Sequence, residues 1–564
     1  MKVKTVFDFP LLQGLNQYES TLLDYNDIKE KDIPELLPDL NQYIYKIDDY
    51  LEKMEPIQKG KDFVKYIKDN LNKTFFIIGD YDCDGIMATC IISYALTLCG
   101  VKVVFTAPNR FVTGYGMKKS QVDEAIKANA DVIITVDNGI TAFDAISYAH
   151  QNGLKVLITD HHNPQGTNDA ELVIDPWYNE DKFKGISGAT VAMKLAYELY
   201  KEFNFDKYFM HNFVALAGIT CLSDVMPMLE ENRILIKSVT EYMNKEVYNK
   251  GSFINRLAKL VSFYDPKSKS DPYFELPGTF RDFNKANIDF YLVPIVNAVN
   301  RVTGNVNELI YDIMDLFYED FPGLPSYYSD LNNKRKYMKS ELLSLHKKSD
   351  AKAVVEKLNP GKYEDDYSGI AGLVASTIVE TENKPALIGI DLDKEPIHFS
   401  GRSVSGFNLF EALTKIKSEH PELSLTFGGH AEALGAAMNS CDISKVQEYL
   451  SEEFSKVKIE EVEPVYVALN NVNEFKEVYY KYWPFGNKFE FPKFYCEGIP
   501  TYINKSDKCF YLDSVGNTKI QYFAKDIGDR IGDIVFKKTK KLIKCILSMY
   551  DENNEAILKI EKIL

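Results

Sequence analysis

Cysteine is sparse in this sequence, eight residues in 564, and no two of them form a Cys-x-x-Cys pair or keep a regular spacing. That excludes a disulfide framework and a thiolate zinc site, and it points to a reducing compartment. Long apolar runs are also missing: residues 213–222 form one of the longest, far short of the ~18 residues a membrane span needs. The first residues reach Asp8 before any apolar core of about seven residues has formed, unlike a secretory signal. A cytoplasmic protein with no membrane partner is expected. Positive charge is in deficit, with 66 Lys plus Arg against 82 Asp plus Glu and a formal net charge of −16. No global basic field gathers nucleic acid, although bound divalent cations can invert the sign inside one cleft.

What is present is ordinary globular material, 45% hydrophobic and 26% charged, long enough for about three to four domains. Residues 1–55 read as a preamble, with an amphipathic helix over 41–54. From residue 74 short apolar runs alternate with helical segments: 74–79, 101–107, 132–136, 155–159 and 172–174 read as buried strands, and 86–99, 118–129, 141–151 and 189–203 as helices. That alternation predicts a parallel α/β sheet over residues 56–230. Residues 213–222 read as a buried helix. Residues 231–350 read as a helical connector, interrupted by a Pro- and Tyr-rich stretch at 321–328. A second, smaller α/β domain is expected over 351–460, with 370–379, 386–390 and 398–400 as its clearest pieces. Residues 461–564, rich in short β-type runs such as 510–512, 519–523 and 542–547, are expected to form a small β-barrel.

The acids fall at the ends of the expected strands. Residues 74–79 run into Asp80, Asp82 and Asp84; 132–136 into Asp137-Asn138-Gly139; 155–159 into Asp160-His161-His162. In an open parallel sheet the carboxyl ends of the strands share one edge, where ligands bind. A single Asp at a strand end is usually a helix cap or a turn residue, but three acid clusters at three strand ends are hard to explain that way. Carboxylates so placed repel unless cations lie between them. Two divalent ions balance Asp82, Asp84, Asp137 and Asp224, with a neutral imidazole from His161. Oxygen and imidazole donors without thiolate favour Mn²⁺ or Mg²⁺, with Mn²⁺ preferred. Such a pair suits phosphoester hydrolysis. Cys83 and Cys221 stand nearby among apolar neighbours and read as buried small residues.

The segments Gly79-Asp80-Tyr81-Asp82-Cys83-Asp84-Gly85, Val136-Asp137-Asn138-Gly139-Ile140, Asp160-His161-His162 and Ser223-Asp224-Val225-Met226-Pro227 resemble, in order and spacing, the four motifs of the DHH phosphoesterase superfamily. Pro108-Asn109-Arg110 with Gly114-Tyr115-Gly116, and Val293-Pro294-Ile295 with Asn297, Ala298 and Arg301, resemble its RecJ branch. Ser400-Gly401-Arg402-Ser403 and Phe427-Gly428-Gly429-His430 resemble the DHH-associated domain. Trp483-Pro484-Phe485-Gly486-Asn487 with Pro492 and Phe494 resembles the lead into an oligonucleotide-binding (OB) barrel.

The resemblance implies that Asp80, Asp82, Asp84, Asp137, His161 and Asp224 bind two metals, with Asp137 bridging. It implies that His162 contacts the scissile phosphate or supports proton transfer while Asp160 orients the imidazoles, and that Arg110, Arg301, Ser400, Arg402, Gly429 and His430 meet the substrate backbone. The implied activity is 5′→3′ exonuclease action on single-stranded DNA in repair or recombination. A monomer is expected, with a helicase or single-strand-binding protein as possible partners. The sequence departs from the family at Leu434, where a small residue is expected, at Asn300 in place of Gly, and at Thr377 in place of Arg. Aromatic and basic residues of the last segment, Phe510, Tyr511, Tyr522 and Phe523 with Lys537, Lys538, Lys540, Lys541 and Lys544, are expected to grip a single strand. The alternatives within the superfamily are an enzyme for short oligonucleotides or cyclic dinucleotides, and an inactive replication scaffold.

Overall fold

The computed structural model describes residues 2–40, 47–112, 114, 116–265, 279–319, 326–361, 367–457, 464–516, 518–552 and 555–564. A short strand, β1 (Lys2–Lys4), opens the chain. The first alternation then builds five strands, β2 (Thr74–Ile78), β3 (Lys102–Thr106), β4 (Val132–Val136), β5 (Lys155–Thr159) and β6 (Leu172–Ile174). They lie in the order β3-β2-β4-β5-β6 and all neighbours are parallel. Strand alternation sends Phe75 and Ile77 into one core and Phe76 and Ile78 into the other, so both faces are covered and the strands read as continuous apolar runs. The chain moves from β2 to β3 on one side and crosses back to β4 on the other. The reversal opens a crevice at the carboxyl ends of β2 and β4, which is what positions the site.

Helix Cys83–Leu98 is apolar on all sides and buried along nearly its whole length, as expected of a helix in the middle of a core. Helices Gly188–Phe203 and Lys207–Ser223 pack against it. The expected helix at 41–54 is found as Ile47–Lys53, and residues 41–46 lie outside the described residues.

The connector is more than a spacer. It contains helices Glu230–Glu246 and Phe253–Leu260, a two-stranded ladder of β7 (Tyr264–Asp265) and β8 (Thr279–Phe280), a π-helical turn Ile288–Leu292 that runs directly into helix Val293–Thr303, and helices Asn307–Asp315 and Tyr327–Leu345. Of the interruption expected at 321–328, residues 321–325 lie outside the described residues. Connector side chains tie down the loops at the carboxyl edge of the first sheet: Asn297 Oδ1 accepts from Cys83 N at 2.9 Å, and Asn307 Oδ1 accepts from Ala107 N at 2.8 Å.

The second α/β unit has the strands β9 (Val354–Leu358), β10 (Ala386–Ile390), β11 (Ile397–Arg402), β12 (Thr426–Gly429) and β13 (Ala433–Met438), ordered β12-β13-β11-β10-β9, with only β9 and β10 parallel. Residues 370–379 belong to helix Ser368–Glu382. A Cβ at Gly369 would lie 2.3 Å from the Arg301 carbonyl oxygen, so glycine permits the close approach of this unit to the connector. Leu434 fits because Gly401 faces it across the ladder: a Cβ there would meet Leu434 Cδ1 at 2.8 Å.

The last sheet contains β14 (Val465–Ala468), β15 (Phe494–Gly498), β16 (Pro500–Asn504), β17 (Cys509–Leu512), β18 (Ile520–Gln521), β19 (Ile543–Glu552) and β20 (Glu555–Ile563). Its order is β1-β14-β15-β19-β20-β18-β17-β16. Lys2 pairs with Val465 and Lys4 with Val467 in parallel, so the two ends of the chain share one sheet. The ladder ends at β1 and β16, with no closing pair among the described residues. Residues 458–463, where the last domain was expected to begin, lie outside the described residues. Among the described residues no helix is long and apolar enough to cross a membrane.

Candidate metal centre

Asp82 caps helix Cys83–Leu98, its Oδ1 accepting from Asp84 N at 3.0 Å and Gly85 N at 3.1 Å. The ordinary capping role therefore holds for this residue and engages one carboxylate oxygen. Asp84, in the first turn, is buried and reaches the start of another helix: Oδ2 accepts from Gly188 N at 2.7 Å and Oδ1 from Ala189 N at 2.9 Å. Two helix N-termini thus face these acids, a favourable field for negative charge. Asp80 is buried just upstream, and its Oδ1 has no hydrogen-bond partner. Burial, with the Asp82 carboxylate adding to it, pushes Asp80 far above the ordinary carboxylate range. Burial and Asp84 likewise raise Asp82.

Asp137 follows β4 in the left-handed region, with φ of 62°, a conformation Asp tolerates better than most residues. Its carboxylate occupies space that only a glycine at position 188 leaves free, since a Cβ there would sit 2.4 Å from Asp137 Oδ1. That oxygen, too, has no hydrogen-bond partner. Burial, then Asp84 and Asp82, push this group far up as well.

The imidazole of His161 donates from Nδ1 to the Ile186 carbonyl oxygen at 2.9 Å. That tautomer turns the Nε2 lone pair toward the acids, 3.1 Å from Asp137 Oδ1 and 3.7 Å from both Asp84 Oδ2 and Asp224 Oδ2. A backbone partner on the far nitrogen is the arrangement by which proteins orient an imidazole ligand. Burial opposes charge on this ring, but Asp84, Asp224 and Asp160 outweigh it, and its affinity for a proton is raised.

Asp160 is held by its own loop and by the loop that follows β4. Oδ2 accepts from Ile140 N at 2.9 Å, while Oδ1 accepts from His161 N at 2.7 Å, His162 N at 3.2 Å and His162 Nδ1 at 2.7 Å. Burial works against its charge, yet these donors and the two imidazoles hold it below the usual range. It aligns both histidines and enters none of the three groups of ligand-type atoms that make up the cluster. The His162 ring is partly exposed. Against burial, its bond to Asp160 lifts it to about 9.

Asp224 ends helix Lys207–Ser223 and is pushed up to about 7 by burial and Asp84. Its ligand-type atoms join those of Asp84 and His161 in one group; Asp80, Asp82 and Asp137 form a second, and Asp137, His161 and His162 a third, all atoms within 4.8 Å of one another in each. The residues singled out from three strand ends and one helix end therefore meet at one point. The joint rise of Asp80, Asp82, Asp137 and Asp224, two buried carboxylate oxygens with no partner, and a donor set of oxygen and imidazole alone fit a pair of divalent cations of the Mn²⁺ or Mg²⁺ kind. Cys83 and Cys221 are buried, and no cysteine enters any of the three groups.

Beside the acids lies a group of arginines, with the Arg110 guanidinium 5.2 Å from the centroid of the Tyr81 ring. Burial lowers the Arg301 guanidinium to about 9, and its next influences are Arg110, Arg335 and Arg402 in that order, ahead of Asp82. Arg335, on helix Tyr327–Leu345, was not distinguished in the sequence, because nothing local separates it from the surface lysines beside it. Asn300, the departure from the family pattern, is buried and joins the two sides: its Nδ2 donates to the Tyr81 carbonyl at 2.6 Å and its Oδ1 accepts from Arg110 Nη1 at 3.4 Å. Ser400 and Arg402 project from the same face of β11 toward Gly372, whose missing side chain leaves room for the guanidinium: a Cβ there would sit 3.1 Å from Arg402 Nη2. Gly429 and His430 are exposed at the end of β12, and Gly429 pairs with Leu434. Tyr115, between Gly114 and Gly116, lies outside the described residues.

The C-terminal aromatics divide differently from expectation. Phe510, on β17, and Tyr522, just past the end of β18, belong to the buried core, so they present no face to a nucleotide. Phe523 is exposed, as is Tyr502, whose ring centroid lies 5.9 Å from that of Tyr511. Lys544 pairs with Glu497 at 3.1 Å and Lys537 with Asp533 at 3.0 Å, while Lys538, Lys540 and Lys541 are exposed.

The family described as DHH family, N-terminal domain, matches residues 74–219. Over 415 residues the chain is 28% identical to the single-stranded-DNA-specific exonuclease RecJ of Bacillus subtilis (strain 168), covering 71% of this chain and 48% of that protein. Over 388 residues it is 29% identical to RecJ of Dickeya dadantii (strain 3937), covering 65% and 64%. The chain thus spans about half to two thirds of the length of these curated relatives. The crystal structure of RecJ in complex with Mn²⁺ from Thermus thermophilus superposes with a TM-score of 0.71 at 20% identity, covering 98% of this chain and 76% of that one. At that identity the likeness is one of fold.

Proposed function

Taking as premise that the chain is a RecJ-like member of the DHH superfamily, we propose that it is a metal-dependent exonuclease that hydrolyses single-stranded DNA from the 5′ end, in repair or recombination. The observation that carries this reading is the meeting of a buried acid cluster, in which Asp80 Oδ1 and Asp137 Oδ1 have no hydrogen-bond partner, with a group of arginines beside it. Asp80, Asp82 and Asp137 would hold one cation and Asp84, His161 and Asp224 the other, with Asp137 between them. When bound, the pair supplies a water acidic enough to attack phosphorus and a clamp on the phosphoryl oxygens. The chain's own residues do the rest. Asp160 fixes the His162 ring through Nδ1, which makes Nε2 the atom that donates a hydrogen bond to the scissile phosphate or a proton to its leaving oxygen. Arg110, Arg301, Arg335 and Arg402 meet the strand backbone with forked donors that match phosphate, helped by Ser400, Gly429 and His430. Residues 56–230 serve as the catalytic domain and 351–460 as the substrate domain. Residues 461–564 form an OB-like strand-binding module in which Tyr502, Tyr511 and Phe523 offer stacking faces.

The test is hydrolysis with Mn²⁺ of 5′- and 3′-labelled single strands, duplexes and dinucleotides, beside Asp137→Ala. Mononucleotide release from the 5′ end that disappears in the variant is the expected result. Activity confined to dinucleotides would replace this reading with a small-substrate phosphodiesterase, and no metal-dependent activity would replace it with a scaffold.

A further inference from the structure

The helix that delivers Asp224 ends in a tight turn. Asp224 is its C-cap, Val225 donates to Leu222 O at 3.1 Å, and Met226 donates to Cys221 O at 3.0 Å. This paired closure places the residue after the cap in the left-handed region and is usually built on glycine. Here that residue is Val225, with φ of 52° and a side chain 63% exposed. A β-branched residue in that conformation is strained, and strain of this kind persists only where the surroundings over-determine it.

The surroundings come from the other end of the chain. Residues 486–489 form a two-residue turn, with Gly486 and Phe489 exchanging both backbone hydrogen bonds at 2.9 and 3.0 Å. From its tip Asn487 Nδ2 donates to Val225 O at 2.8 Å, and Asn487 O accepts from Met228 N at 2.7 Å. Gly486 lets the turn come this close, since a Cβ there would be 3.3 Å from Met228 Cβ. The turn is itself anchored by Arg233, a buried guanidinium that donates to Pro484 O at 2.8 Å and Tyr482 O at 2.6 Å and lies 4.6 Å from the centroid of the Phe489 ring.

Resting on the metal reading above, we propose that Asn487 is a positioning residue for the metal centre, holding the strained Val225 turn so that the Asp224 carboxylate stays aimed at His161 and Asp84. The consequence is that the C-terminal module and the catalytic end are mechanically coupled. Removal of residues 463–564 would then disturb metal binding as well as strand binding.

The test is Mn²⁺ titration of the metal-free 564-residue chain by calorimetry, with amide exchange of residues 222–229 and a thermal melt alongside. In Asn487→Ala one of two Mn²⁺ sites weakens about five- to tenfold, the value of one hydrogen bond, while the melting temperature is unchanged and exchange at 222–229 rises. Because glycine adopts the left-handed conformation without strain, adding Val225→Gly to Asn487→Ala restores most of the affinity. An unchanged isotherm, or a lowered melting temperature with unchanged affinity, would overturn the proposal. Failure of the unaltered protein to bind Mn²⁺ at all would instead overturn the metal reading beneath it.

Discussion

Gly188→Ala places one methyl group against the residue proposed to sit between the two cations. The added Cβ would lie 2.4 Å from Asp137 Oδ1 and 2.7 Å from its Cβ and Cγ, where ordinary contact begins at 3.4 Å. The carboxylate must therefore retreat by 3.4 − 2.4 = 1.0 Å, or the helix must move. Helix movement does not rescue the site, because Gly188 N and Ala189 N hold Asp84. A shift of that size is about half of a metal–oxygen bond of about 2.1 Å. Misplacement on this scale costs about 100-fold in rate. The fold should survive: helix propensity returns up to ~1 kcal/mol against a packing cost of ~1–3 kcal/mol. Mn²⁺-dependent hydrolysis, Mn²⁺ titration and a metal-free melt, measured together, separate the two effects. A rate within about threefold of the unaltered protein, with an unchanged isotherm, would refute the close-fit argument.

Arg335→Met should weaken single-strand binding and flatten the dependence of log K on log salt by about 0.7, the value of one phosphate contact on a single strand; an unaltered slope would remove Arg335 from the backbone contacts. Saturating Mn²⁺ at about 100 times its dissociation constant should stabilise the protein by about 2.7 kcal/mol per site. Asp137→Ala should melt higher than the unaltered protein without metal, since it deletes a buried and repelled carboxylate, and should lose most of the Mn²⁺ response. A lower metal-free melting temperature would count against mutual repulsion in the cluster. His346 lies between Glu356 Oε2 at 2.6 Å and Glu382 Oε1 at 2.8 Å. Against burial, these bonds raise its affinity for a proton. With the folded value above the unfolded one of about 6.5, its contribution is whole below about pH 6.5 and is lost as pH rises through the folded value. His346→Ala should accordingly lower the melting temperature at pH 6 and converge with the unaltered protein in alkali, and a gap independent of pH would dismiss the bridge.

Strand runs at 132–136, 155–159 and 172–174 are found at those bounds. Period and burial are local properties of a run of Val and Ile, and the residue that follows such a run in a parallel sheet can only emerge at the carboxyl edge. Convergence of the acids at one edge was legible for the same reason. Which side chains complete the site was not legible. Arg335 lies on a helix of ordinary polar composition, and only packing of the connector brings it to Arg301. Phe510 and Phe523 look alike as aromatics on short apolar runs, but Phe510 sits inside β17 and is buried, whereas Phe523 lies beyond the end of β18 and is exposed, a difference set by pairing with strands distant in sequence.

Composition, motif order and strand-end acids by themselves determined a parallel α/β domain with a metal-type carboxylate and imidazole cluster, because those features depend on neighbours within a few residues. Tertiary structure alone decided that Asp84 is held by the start of helix Gly188–Phe203, that Gly188 makes room for Asp137, and that Asn487 closes on Val225. It also decided that β1 joins the last sheet. Each of these joins residues far apart in the chain, and no local propensity records such a contact until the whole chain has packed.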